Sequence, residues 1–155
     1  MSTSVEKLFS FQTPCALVIE ENLILRKMLK CMLQLLGVSC ICANSVEEVL
    51  DVFEQGVDMV MMDLCFTQRS GCDLAERMRM YEKPLGRHTP IIGNISSIDP
   101  EEVRELCLAA GMDEVYQKMT SVHDVSEVLK QWIACPLVMP VHLWDVHIPE
   151  KAAVS

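Results

Sequence analysis

The sequence predicts an α/β domain: one parallel sheet of five strands, covered by helices on both faces. Two observations carry that prediction. Short apolar, β-prone runs alternate five times with segments whose apolar residues recur at helical spacing. One of those runs, VDMVMMDL at 57–64, is apolar without alternation, as a strand buried on both faces must be, and it ends abruptly in the carboxylate of Asp63.

The elements follow in order. Residues 1–13 form a polar lead. Pro14 introduces a strand over Ala16–Ile19, which ends in two acids, Glu20 and Glu21. Asn22 is placed to cap a helix with Leu25, Leu29, Met32 and Leu36 on its inner face, and Gly37 is its stop. Val38–Cys42 reads as the second strand. Ser45 and Glu48 match a capping box ahead of a helix with Val46, Val49, Leu50 and Phe53 inward. The Asp63 strand comes next. A loop from Leu64 to Ser70 then leads through Gly71 into a helix using Leu74, Ala75 and Met78.

Lys83–Thr89 is a loop, and Pro90–Gly93 is the fourth strand. Asp99-Pro100-Glu101-Glu102 starts a helix, with Pro at its first position and acids in its first turn. Gly111 ends that helix. Glu114–Gln117 is the fifth strand, ending at Lys118, and Val122, Val125, Leu129 and Trp132 face inward from the last helix. The domain is expected over 14–134. Residues 135–155, with Pro136, Pro140 and Pro149 and no clear period, are expected to be a tail.

Bulk properties narrow the function. Half of the 155 residues are hydrophobic, enough for a sizeable core. A net charge of -9 argues against nucleic acid as a direct partner, because phosphate contacts need clustered Lys and Arg. The eight cysteines form no CxxC pair, and Cys40 and Cys42 are the closest in sequence. That pattern reads as reduced thiols in a cytoplasmic setting. No run is long and apolar enough to span a membrane, so no membrane partner is expected.

The strand ends gather chemistry. In an open parallel sheet with strand order 2-1-3-4-5, ligands bind beyond the carboxyl ends, where strands 1 and 3 are neighbours. That order brings Glu20, Glu21 and Asp63 together. Like charges so close need compensation, and a hard divalent cation such as Mg²⁺ supplies it. Lys118 adds a point cation suited to phosphate oxygens, and Ser96 adds a hydroxyl. Such a set suits placing a phosphoryl group on a carboxylate.

These residues carry a resemblance. ALVIEENLILRKML, VDMVMMDL, Gly71 eight residues after Asp63, RHTPII and CLAAGMDEVYQK, in that order, resemble the receiver domain of two-component response regulators, above all those attached to hybrid histidine kinases. The resemblance implies a flavodoxin-like (βα)5 three-layer sandwich with parallel order 2-1-3-4-5. It implies a phosphorelay receiver rather than an enzyme, accepting a phosphoryl group from a phosphohistidine onto Asp63. Glu20, Glu21, Asp63 and the backbone carbonyl of Cys65 would hold Mg²⁺, and Lys118 and Ser96 would bind phosphoryl oxygens. Counting from Pro90 points to Ile95 for the hydroxyl position, and counting back from Lys118 points to Ser96. A histidine kinase or histidine phosphotransfer protein would be the donor. A downstream protein target would read the result, in the cytoplasm or, in a eukaryote, the nucleus.

Departures from the family pattern cluster near the site. Glu21 stands for the usual Asp, and Phe66-Thr67 for the usual Met-Pro. Val115 stands for the switch aromatic, with Tyr116 one place away, and Met119 for the proline after the lysine. The alternative function is therefore a receiver that works as a phosphorylation-independent protein-interaction module.

Overall fold

A computed structural model describes residues 13–64, 68–95 and 100–133. The lead up to residue 12, residues 65–67 (Cys65 among them), residues 96–99 (Ser96 among them) and the tail from 134 lie outside the described residues. Five strands alternate with five helices: β1 (Cys15–Ile19), α1 (Leu23–Leu35), β2 (Ser39–Cys42), α2 (Val46–Gln55), β3 (Met59–Asp63), α3 (Gln68–Glu82), β4 (Ile91–Ile95), α4 (Pro100–Ala109), β5 (Glu114–Gln117) and α5 (Val122–Trp132). All the strand pairs are parallel, in the order β2-β1-β3-β4-β5. This is the predicted flavodoxin-like sandwich.

The unalternating runs divide between two cores, because successive strand residues point to opposite faces. Val60 and Met62 of β3 pack with Val49, Phe53, Leu74 and Met78 beneath α2 and α3. Met59 and Met61 pack on the other face with Leu29, Leu33, Val125 and Leu129 of α1 and α5. A run apolar at every position is what a strand with two covered faces requires. No helix among the described residues is long and apolar enough to cross a membrane.

Local signals are realised with three corrections. Helix α3 begins at Gln68, ahead of the expected start. Ser45 accepts from the Glu48 N–H at 3.1 Å, but the Glu48 carboxylate accepts from the Asn44 N–H at 2.9 Å rather than closing the box on Ser45. The full capping box stands instead at α5, where Ser121 and Asp124 each accept from the other's backbone. Gly71 is required for a different reason from a turn: a Cβ there would lie 2.7 Å from Leu64 Cδ2. Helix α3 can therefore approach the end of β3 closely only with glycine at that point.

Far from the strand ends that concern function, a polar hub fixes the opposite edge. Arg79 Nε donates to the Gly111 carbonyl at 2.8 Å, and Nη1 donates to Glu82 at 2.7 Å and to the Thr89 carbonyl at 2.8 Å. Its Nη2 donates to Asp113 at 2.7 Å. Glu82, only 1% exposed, also accepts from the Thr89 N–H, and Asp113 accepts from the Ile91 N–H. One guanidinium thus ties the end of α3 to the starts of β4 and β5.

Candidate functional site

Side-chain alternation decides what meets at the carboxyl ends of the strands. Ala16 and Val18 of β1 face α1 and α5, as do Met59 and Met61 of β3 and Ile92 of β4. Two residues further along each strand, the same face carries Glu20, Asp63 and Asn94. Tyr116 of β5 packs on that side as well, which carries Lys118 there. The register pairs Asp63 with Asn94 directly, and Ile19 with Met62, so that Glu20 follows level with Asp63. The sheet order therefore sets Glu20, Asp63, Asn94 and Lys118 in a row across four strand ends.

The row is tightly held. Lys118 Nζ stands 4.0 Å from Asp63 Oδ2, an ion pair longer than a hydrogen bond. The Asp63 side chain is 6% exposed and that of Lys118 25%. The Lys118 N–H donates to the Ile95 carbonyl at 2.8 Å, which fixes where the lysine leaves β5. Glu20 is 5% exposed, and its Oε1 accepts from the Asn22 N–H at 2.9 Å. Asn22 in turn caps α1, accepting from Ile24 and Leu25 at 3.0 and 3.1 Å. Burial pushes the Glu20 carboxyl above its ordinary pKa. The Asn22 N–H opposes that rise, while a hydrogen bond with the Asp63 carboxyl adds to it.

Beside the row lies a cleft of about 430 Å³, with Glu20, Glu21, Asp63, Arg26 and Asn44 on its wall and an apolar floor that includes Met62. The Arg26 guanidinium donates to the Asn44 side chain and closes one edge. Glu21 lines the cleft but is exposed, and it does not join Glu20 and Asp63: among the described residues no three acid, His or Cys side chains cluster as metal ligands. Glu20 and Asp63 do meet. Two adjoining carboxylates fit a hard cation such as Mg²⁺, which commonly takes one or two protein carboxylates and keeps water for its other positions. Cys65 and Ser96, the remaining candidates, lie outside the described residues. Ile95, the other residue reached by counting, is buried with the α3 and α4 core and pairs with Gln117.

The departures in the sequence also have places. Val115 is buried against the α3 and α4 core, while Tyr116 faces the other way. The Tyr116 hydroxyl donates to Gln131 at 2.8 Å and accepts from Trp132 Nε1 at 3.0 Å, which fastens β5 to α5. Met119 is buried with the α1 and α5 core. Asn94 was missed in the sequence, although a polar residue inside PIIGNI and two places after Ile92 was the available signal.

Residues 16–130 match the family model of the response regulator receiver domain. The chain belongs to the response regulator receiver family. This receiver is 31% identical over 119 residues to the sensor histidine kinase RcsC of Salmonella typhimurium, which covers 76% of the chain and 12% of that protein. The autoinducer 1 sensor kinase/phosphatase LuxN of Vibrio campbellii is 27% identical over 126 residues, covering 79% of the chain and 14% of LuxN. The chain thus spans only about an eighth of the length of these relatives. Among solved structures, the receiver domain of sensor histidine kinase PA1611 of Pseudomonas aeruginosa, with magnesium coordinated in its active site cleft, superposes with a TM-score of 0.66. Identity is 24%, over 79% of this receiver and 98% of that chain. The co-crystal structure of the Saccharomyces cerevisiae histidine phosphotransfer protein Ypd1 with the receiver domain of Ssk1 gives 0.67 at 22% identity, over 77% of this receiver and 88% of that chain. At these identities the structural likeness establishes the fold.

Proposed function

We propose that this receiver accepts a phosphoryl group from a phosphohistidine onto the Asp63 carboxylate, with Mg²⁺, as one step of a phosphorelay. The observation that carries the reading is the row of Glu20, Asp63, Asn94 and Lys118, which sets a buried carboxylate between a second carboxylate and an ammonium. An Asp63 oxygen forms the new bond to phosphorus as the bond from phosphorus to the histidine nitrogen breaks, and the imidazole leaves. Lys118 offsets charge on a phosphoryl oxygen as a point cation. Glu20 and Asp63 would hold the metal, with the Cys65 carbonyl and Glu21 as the further members the family pattern implies. The bound cation neutralises charge on the phosphoryl oxygens. Burial of Asp63 slows water's access to the acyl phosphate. The protein acts as a signalling receiver rather than as an enzyme turning over a free substrate.

The donor's docking surface is read on α1. Ile24, Met28, Cys31 and Leu35 recur at helical spacing on its outer face and are exposed, in addition to the buried stripe of Leu29, Met32 and Leu33. Exposed Lys27 and Lys30 lie on the same helix in a protein of net charge -9. The helix starts beside Glu20, so a partner seated there brings a phosphohistidine to Asp63. A helical histidine phosphotransfer protein with an apolar, acid-rimmed face fits such a surface.

Incubation with acetyl phosphate and millimolar Mg²⁺ is expected to add about 80 Da, one HPO₃, and Asp63→Ala to abolish the gain. No gain in the native protein overturns the proposal. A second reading, a protein-interaction module independent of phosphorylation, is favoured by Val115 and Met119, both buried where the family carries its switch aromatic and proline. A partner bound equally by the native protein and by Asp63→Ala, with no mass gain in either, selects that reading.

A further inference from the structure

Cys40 and Cys42, the closest cysteines in the sequence, form a converging pair. Both belong to β2, the edge strand of the sheet. Residues two apart on a strand share a face, with their α-carbons about 6.6 Å apart. The two sulfurs are only 3.7 Å apart, so the side chains lean toward each other. Both pack partly against the core formed with α1 and α5, and both keep some exposure to solvent. At that distance one thiol can donate weakly to the other. The pair is not built for a disulfide, whose β-carbons lie about 3.5–4.5 Å apart, because a strand holds successive same-face β-carbons farther apart than that. Nor is it a ready nucleophile: burial, and then the neighbouring Cys42 thiol, push the Cys40 thiol up to about 12.

We propose that Cys40 and Cys42 form a two-coordinate site for a soft monovalent cation, Cu(I). Soft thiolates select Cu(I), whereas a structural zinc site takes four ligands and Mg²⁺ takes oxygen. Bonds from sulfur to a d¹⁰ cation are roughly 2.3 Å, as for zinc, so two in line span about 4.6 Å. The observed separation needs less than an ångström of opening to admit the ion. On binding, each thiol gives its proton to solvent and each sulfur forms one bond to the cation, with no electron transferred. Two thiolates and one monovalent cation leave a single negative charge, and Lys30 of α1 stands near enough to Cys40 to favour its thiolate. Among the described residues no larger set of acid, His or Cys side chains gathers for a metal, which suits a cation satisfied by two ligands. The place is separate from Asp63: Cys42 ends β2, and Asn44 on the cleft wall comes two residues later. The proposal does not depend on the phosphotransfer reading.

The probe is Cu(I) itself, added without oxygen to the reduced protein from a bicinchoninate buffer, whose colour reports the copper it still holds. At one chelator concentration, the native protein is expected to take up one equivalent more than the double variant Cys40→Ser/Cys42→Ser. The thiolate-to-copper absorption in the ultraviolet is expected to fall with that equivalent. Cys40→Ser and Cys42→Ser are each expected to lose it alone, since one thiol is not a chelate. Cys31→Ser, which removes an exposed thiol of α1, is expected to keep it.

Equal uptake by the native protein and the double variant overturns the proposal, as does a native protein that takes up no copper from the buffer. Loss of the extra equivalent to excess glutathione would mark an adventitious ion only, and overturns it too. Should the double variant not fold, as far-ultraviolet circular dichroism would show, Cys40→Ala and Cys42→Ala each keep one packed thiol and are read in the same way.

Discussion

Glu20 and Asp63 stand level at the ends of neighbouring strands β1 and β3, on the same face of the sheet. Burial raises the pKa of the Glu20 carboxyl, and the neighbouring Asp63 carboxyl adds to the rise, because each disfavours charge there. A divalent cation entering between the two carboxyls supplies the missing compensation. Mg²⁺ is therefore expected to raise the melting temperature of the native protein. The gain is about 1.4 kcal/mol when the free metal is ten times its Kd. Glu20→Gln and Asp63→Asn should each abolish most of it, and Glu21→Gln should abolish less, since Glu21 stands exposed on the rim. Thermal melts with and without Mg²⁺ check this. Equal losses from Glu20→Gln and Glu21→Gln would contradict it.

Arg79 is expected to be the most sensitive charged position for stability. Its guanidinium satisfies Glu82, Asp113 and two backbone carbonyls at once. Arg79→Ala leaves the carboxylate of Glu82, 1% exposed, without its cation, and breaking a buried pair in this way costs about 3–5 kcal/mol. Arg79→Lys should recover little, because a single ammonium cannot span the four acceptors of a planar fork. Urea unfolding measures both. A cost below about 1 kcal/mol for Arg79→Ala, the range of surface pairs, would rule the hub out.

The difference between these two features marks what the sequence exposes. Apolar runs that stop at Glu20, Asp63 and Lys118 announce strands and their functional ends, because burial and chemistry change at the same residue. The Arg79 hub leaves no such mark. Arg79, Glu82 and Asp113 look like the solvated charges of separate elements, and only the fold puts them under the sheet edge. The start of α3 was hidden for a related reason: Gln68, Arg69 and Ser70 carry no apolar period. The Ser121–Asp124 box is legible in SVHD only when Asp is admitted at the position that usually carries Glu or Gln. Asn94 needed the parity of four strands at once, which no single window of sequence contains.

Acid should weaken the joint between α4 and β5. Arg104 Nε and Nη2 hold both oxygens of Glu114, at 2.7 and 3.0 Å. That guanidinium keeps the Glu114 carboxyl below its usual pKa, with burial opposing and the Val115 N–H assisting. A depressed pKa means that the folded state binds the proton less readily than the unfolded chain. The stabilisation is therefore present above the unfolded value, 4.5, and is lost as pH falls through the lower folded value. Both side chains reach solvent, so the pair is worth a few tenths to about 1 kcal/mol. Urea unfolding of the native protein and Glu114→Gln should differ by that amount at pH 7, and the difference should shrink progressively as pH falls below 4.5. A difference that acid does not reduce would exclude the ion pair as its cause.

Leu64 links the position of Asp63 to the packing behind it. It follows Asp63 directly, is 2% exposed, and its N–H donates to the Asn94 carbonyl at 2.9 Å. Its two methyls lie over two glycines: a Cβ on Gly71 would meet Cδ2 at 2.7 Å, and one on Gly93 would meet Cδ1 at 2.8 Å. Val115 Cγ2 and Met112 Sδ stand 3.2 and 3.3 Å from the same point at Gly93, so the methyl has no free side to move toward. Gly93→Ala is expected to cost about 1–3 kcal/mol by overpacking, and Leu64→Ala about 2–5 kcal/mol by leaving a cavity. In the double variant the new methyl enters the space that leucine vacates. The combined cost should therefore fall short of the sum by about 0.5–3 kcal/mol. Unfolding free energies for the four members of the cycle measure the shortfall. Additivity within about 0.5 kcal/mol would mean that the two side chains yield separately, and that Leu64 does not clamp the end of β3 between α3 and β4.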